Sequence, residues 1–465
     1  MNSLNPYISQ MDPELHTFNY VRQKCPFLFT AMLAAAAKAL HPELYPKLHH
    51  HVEELFGQNF RLGRKSTEIA QAVLIMTYWK EPDDSRAWIS LGYVIRMGIE
   101  LGWHRLKPSS VDQETTQMTS RNVKCETFNG SGTSSSMSLQ TGKSWMIERD
   151  AFIESIEPWC KDSMATASDN LLGALVTLRL LSSEVFRLLG PKSSRVGGDQ
   201  LHSLESLLSI IRVRVEEWER KWLQSVATVC LMMSPVESCH PFLIRFYGTH
   251  LRLQLLSLPL QEILASKEPD ITSNLEVFWV SYSNAMDMLQ LICSSATWLY
   301  FAQDSIHVMT AYSAAFLIRL LLSAPEYING RIEPQVCDAI RATADAFSGQ
   351  SSPPGSSCWL QARFLARIVM KHMERRHDRD LVLSPSAPAS GPTVSNSLFA
   401  AGSPSANDAT PTRGHSTLHA QDGPLQSYRH PDEPRLDFAF STDEGVWTDM
   451  FTSAGFSFQD GVFFA

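Results

Sequence analysis

Residues 199–223 read DQLHSLESLLSIIRVRVEEWERKWL. Leu201, Leu204, Leu208, Ile211, Val215, Trp218 and Trp222 recur at alternating steps of three and four, which lines them up along one face of an α-helix. Asp199 stands just ahead of the stripe, where a carboxylate can cap the unpaired amides of a first turn. A stripe this apolar is stable only against other helices, so the stretch predicts a helical core rather than an isolated helix.

Outward from it the same period returns. Toward the C-terminus, apolar-rich helices are predicted around 241–265, 274–298, 304–324, 333–347 and 357–376. Toward the N-terminus, helical patterning resumes at about residue 164, and residues 15–105 also read as helices. There Ser66 offers an N-cap hydroxyl and Glu68 a first-turn acid, ahead of Ile69, Ala72, Val73, Met76 and Trp79. Pro82-Asp83-Asp84-Ser85 then breaks the chain and supplies a new cap. Trp88, Leu91, Gly92, Ile95 and Ile99 form the next stripe, which Gly102 ends. Alternation of period two is nowhere sustained, so the fold class expected is all-α.

Two stretches break the pattern. Residues 107–136 are polar, rich in Ser and Thr and without a period, an irregular insertion longer than compact domains usually carry. Past Asp380 the composition changes: residues 381–430 hold nine Ser, six Pro and four Gly, too little apolar surface to pack. The last 35 residues carry seven acids against Arg435 alone, interleaved with eight aromatics that include Phe438, Phe440, Trp447, Phe451, Phe456 and Phe458. The expected plan is an N-terminal segment (1–14), a helical domain (15–376), a disordered Ser/Pro-rich linker (377–430) and an acidic-aromatic tail (431–465).

The net charge of -8 lies mostly in that tail, leaving about -2 on the first 430 residues. A nearly neutral body without a basic stripe argues against tight binding of a phosphate backbone by this chain alone. The eight cysteines contain no CxxC pair, so zinc-finger and zinc-cluster ligands lack their spacing, and scattered thiols suit a reducing interior. No basic-then-apolar leader opens the sequence. The apolar runs near 28–37 and 308–324 are short or broken by Arg319, so no membrane partner is expected.

Motifs for chemistry are weak. His49-His50-His51 would point about 100° apart on a helix, which suits a solvated face better than a metal site. Gly142-Lys143-Ser144 ends like a phosphate loop, but Met137 occupies the position of its first glycine. GxSxG, HExxH and GxGxxG are absent, and the chain is not expected to be an enzyme. The run Lys371 to Arg379 reads either as a nuclear import signal or as a solvated last helical turn. Arg96, Arg105, Arg245 and His250 are candidates for an anion pocket, with caps and interfaces the plainer reading. The tail is the most telling segment, because acids oppose collapse and keep its aromatics available to apolar grooves on a partner.

Several blocks resemble the fungal-specific transcription factor domain, the middle homology region of zinc binuclear cluster regulators, and its leucine-biosynthesis and protease-regulator subgroup in particular. Met11 to His16, followed by Cys25 to Thr30, looks like that subgroup's opening. Trp88, Gly92, Ile95, Arg96, Met97, Leu101, Gly102, His104 and Arg105 match the pattern W..LG.AIRM...LGLHR. Ser138-Leu139-Gln140-Thr141-Gly142-Lys143 with Trp145-Met146 is similar to S.SLQTG.PWM, and His307 to Ala314 to a late helix. The likeness runs over about residues 10–376. It departs at Ser144, where the subgroup has proline, and at 121–135, where the subgroup has an aromatic-rich helix. The six cysteines of a zinc cluster are also missing from these residues.

The resemblance implies a nuclear regulator of RNA polymerase II transcription acting on a metabolic or secondary-metabolite gene set. Its output would pass from the tail to transcriptional coactivator subunits. DNA would be reached through a zinc cluster outside this sequence or through a zinc-cluster paralogue, or by a homodimer, and a small-molecule effector is implied. Zinc would belong to that cluster, and no cofactor is expected in this chain. The alternative reading is a helical small-molecule sensor or scaffold without transcriptional output.

Overall fold

Ser66 accepts a hydrogen bond from the Ile69 amide at 3.2 Å and starts a helix where its sequence pattern places one. In the computed structural model, which describes residues 3–81, 84, 86–103, 151–161, 165, 167–189, 198–230, 239–257, 260 and 275–383, every element is helical. No strand occurs among the described residues, so the all-α class holds.

In chain order the helices are α1 (Asn5–Ile8), α2 (Phe18–Lys24), α3 (Pro26–Leu40), α4 (Tyr45–Arg61), α5 (Thr67–Tyr78) and α6 (Ala87–Glu100). After 104–150 come α7 (Ala151–Glu154), α8 (Ile156–Trp159), α9 (Ala167–Leu189), α10 (Gly198–Cys230) and α11 (Cys239–Leu256). Then follow α12 (Leu275–Ser294), a 3₁₀ turn (Ala296–Phe301), α13 (Asp304–Ser323), α14 (Glu326–Ser348) and α15 (Ser357–Leu383). The first compact unit reaches Met373, and the end of α15 beyond it, 374–383, falls in a second.

Within the first unit the helices form two groups. In one, α3 packs on α4 and α5, and α5 on α6. In the other, α9 to α14 stack in sequence, with α12 touching α11, α13 and α14. A single apolar core runs through both. On α10, Leu208, Ile211, Val215, Trp218 and Trp222 are all buried, and the helix continues beyond residue 223. Two neighbours make room for it with glycine. A Cβ on Gly173 of α9 would lie 2.5 Å from the Trp222 ring, and one on Gly248 of α11 would lie 2.9 Å from Trp218.

Three features depart from the sequence reading. First, α5 is not one-sided: every residue from Glu68 to Ile75 is buried, because α3 and α6 cover one side and the N-terminal segment the other. Second, α6 turns Ala87, Val94, Met97 and Gly98 inward with Leu91 and Gly92, and leaves Ile99 53% exposed. Gly98 sets that rotation, since the Trp103 ring folds back where its Cβ would stand. Third, residues 5–12, inside the N-terminal segment 1–14 for which no helix is expected, are buried and include the short helix α1. Tyr7 is fully buried with its hydroxyl on the Trp298 carbonyl, and His240 Nε2 lies 3.0 Å from the Pro6 carbonyl.

By length and composition α13 is apolar enough to cross a bilayer, with mean hydropathy 1.5, although 308–324 reads as a broken run in the sequence. That window is 83% buried inside the unit, the setting of a core helix.

Candidate functional site

Helices α3, α4, α5 and α6 enclose a cleft of about 280 Å³. Its floor is short, because Ala31, Ala34 and Ala35 of α3 present only methyl groups. Val52 and Phe56 of α4 and Val73 and Met76 of α5 raise the walls. At the mouth Phe56, Phe60 and Tyr93 form an aromatic cluster with ring centroids 5.3–6.2 Å apart. Phe60 is 60% exposed there and Ile89 74%.

The opposite end is charged and internally matched. Arg86, just before α6, donates Nη1 and Nη2 to the two Glu53 oxygens, each at 2.9 Å. The same guanidinium reaches Asp84 through Nε at 3.0 Å and Nη2 at 2.8 Å, and the Arg86 amide donates to Asp84 at 2.8 Å. This fork ties α4 to the start of α6; the N-cap of α6 is Arg86 itself, whose side chain makes no capping hydrogen bond, in place of the cap expected from 82–85. Burial pushes the Asp84 carboxyl up, but the Arg86 hydrogen bonds outweigh it and hold the group below its ordinary range.

Lys38 of α3 stands beside the cleft, 5.4 Å from the centre of the Tyr45 ring. Its Nζ donates to the Trp79 and Lys80 carbonyls at 3.1 and 2.6 Å, beyond the end of α5, and pairs with Glu81 at 3.2 Å. Burial raises Glu81, yet the Lys38 charge and the Tyr45 hydroxyl bring it down overall. Tyr45 itself is driven well above the phenol range, by burial first and by Glu81 second. Lys80 lies 3.9 Å from Asp304.

The sequence-predicted residues scatter around this site. Trp88 is half-buried, Gly92 is buried, Arg96 is exposed, and Gly102 takes φ +79° to end α6. His104, Arg105, Gln140, Thr141, Gly142 and Trp145 lie outside the described residues, as do Phe438, Phe440, Trp447, Phe451, Phe456 and Phe458. Arg96 and Arg245 are exposed whereas His250 is buried, so these three do not converge on an anion pocket. The three consecutive histidines fan out to glutamates one turn on, His49 to Glu53 at 3.8 Å and His50 and His51 to Glu54 at 3.5 Å. His372, inside the basic run 371–379, turns inward and meets Glu333 at 2.9 Å with both side chains buried.

Sequence reasoning missed the clamp and the cleft. The Arg86-Ala87-Trp88 block was the available signal, since an arginine following Asp-Asp-Ser marks a cap with a paired charge. Nothing local could have paired it with Glu53, 33 residues away.

No protein-family model matches the chain, and no solved structure does. It is similar to Protein priB of Lentinula edodes, 29% identical over 334 residues that cover 70% of this chain and 54% of priB. The chain thus spans about half the length of that curated relative.

Proposed function

We propose that the chain is a nuclear transcription regulator in which a helical unit carries an acidic-aromatic activation segment. The observation that supports it is the pairing, in one chain, of the α5–α6 block, whose residues resemble a regulator domain, with seven acids and eight aromatics at 431–465. The tail engages coactivator subunits through Phe438, Phe440, Trp447, Phe451, Phe456 and Phe458, and DNA is reached through a partner or a zinc cluster outside this sequence. No catalytic role is assigned.

A reporter experiment tests this reading. Residues 377–465 fused to an unrelated DNA-binding domain should activate transcription strongly, and alanine at Trp447, Phe451, Phe456 and Phe458 should abolish most of that activity. Equal, low activity from both fusions removes the activator. The cleft between α3 and α6 favours a second reading for the helical unit, that it binds a small molecule, with or without the tail's output.

A further inference from the structure

Given small-molecule binding by the helical unit, the second reading on which this proposal rests, the walls of the cleft select a class of ligand. Two cations line the cleft and Lys38 stands beside it, over the Tyr45 ring, and each is already matched. Lys38 faces Glu81, Arg86 faces Glu53 and Asp84, and Lys80 faces Asp304. An ionised ligand entering here would shed its hydration and find no uncommitted opposite charge. An apolar one would meet the alanine floor, Met76 and the aromatic mouth, and would cover Phe60 and Ile89, which water now reaches. About 280 Å³ sits just below the ~300–1,000 Å³ usual for small-molecule sites, enough for two fused or linked rings.

We infer that the cleft between α3, α4, α5 and α6 is a binding site for a neutral, largely hydrocarbon molecule of about two rings. The clamp at Arg86 sets this selectivity by occupying both carboxylates and the guanidinium at once. Ser90, half-buried on α6 and lining the cleft, is the position from which the space can be filled without touching the clamp.

Two probes share one two-ring system and differ in charge: 1-methylnaphthalene is neutral, and 1-naphthalenesulfonate carries a sulfonate in place of the methyl. Titrated into the full chain, the neutral probe should saturate at one site, with the anionic probe at least tenfold weaker. Ser90→Phe should weaken the neutral probe at least tenfold while the melting temperature stays within a few degrees. In the unaltered chain, photolysis of bound benzophenone followed by peptide mapping should label residues 45–60 and 73–93. That map decides the site even where the variant fails to fold. Failure of the neutral probe to saturate, or labels elsewhere, including 431–465, would overturn the site and the second reading with it. Equal binding of the sulfonate would leave the site standing and overturn the ligand class.

Discussion

Tyr7 is fully buried and donates its hydroxyl to the carbonyl of the half-buried Trp298. Tyr7→Phe removes that bond and should cost about 0.5–1.5 kcal/mol in urea unfolding. Buried histidines set the acid response. Burial holds His307 down to about 4 and His240 also to about 4, while burial and then the Arg179 charge take His250 to about 3. All three stay neutral in the fold, whereas an unfolded histidine gains its proton below about pH 6.5. The unfolded chain therefore binds more protons between roughly pH 4 and 6.5, and stability falls as pH falls through that window. Each contributes about 2 kcal/mol of loss between pH 7 and 5. His307→Gln should shrink the pH 7 to pH 5 difference in unfolding free energy by about that amount. An unchanged difference would mean His307 is not neutral in the fold.

At the scale of helices, the stripe on α10 was legible because seven apolar residues keep one phase over 22 positions, and all of those described are buried. The glycines that receive it were not. Nothing near Gly173 or Gly248 in sequence tells that a tryptophan from another helix must lie on the bare backbone. Gly173→Ala and Gly248→Ala should each destabilise by about 1–3 kcal/mol through overpacking. Gly173 should be the more costly, since Cys160 Sγ also stands 2.5 Å from the added carbon. Calorimetric melts check both, and a neutral Gly173→Ala would show that α10 shifts freely. The stripe on α5 misled for a related reason. Periodicity reports which residues are apolar, and a helix covered from two sides also buries Glu68, bonded to Tyr20 at 3.0 Å, and Gln71. The cleft escaped notice because its floor is three ordinary alanines and its clamp joins residues distant in sequence.

Across the whole molecule, the two helix groups share one core, and residues 5–12 are wedged into it. Deleting residues 1–12 removes Tyr7, Ile8 and Met11 from that core. Each such side chain contributes about 1.5–3 kcal/mol when buried. The shortened chain should unfold at clearly lower urea and be cut faster by protease. Unchanged resistance would mean that the first twelve residues sit on the unit without supporting it. The packing of residues 5–12 was not legible, because nothing in their pattern tells that Asn5 bonds Met11 twice at 2.7 Å or that Tyr7 finds its partner 291 residues on.

That wedge also fixes an order of events during synthesis. The partners of Tyr7 and Pro6 lie 291 and 234 residues downstream. A ribosome adding 5–20 residues per second delivers Trp298 roughly 15–60 s after Tyr7 emerges. Through that interval Tyr7 has no partner for its hydroxyl, and a holding chaperone would find it exposed with Ile8 and Met11. Only when the 3₁₀ turn clears the exit tunnel can Tyr7 be sealed against a carbonyl made 291 residues later.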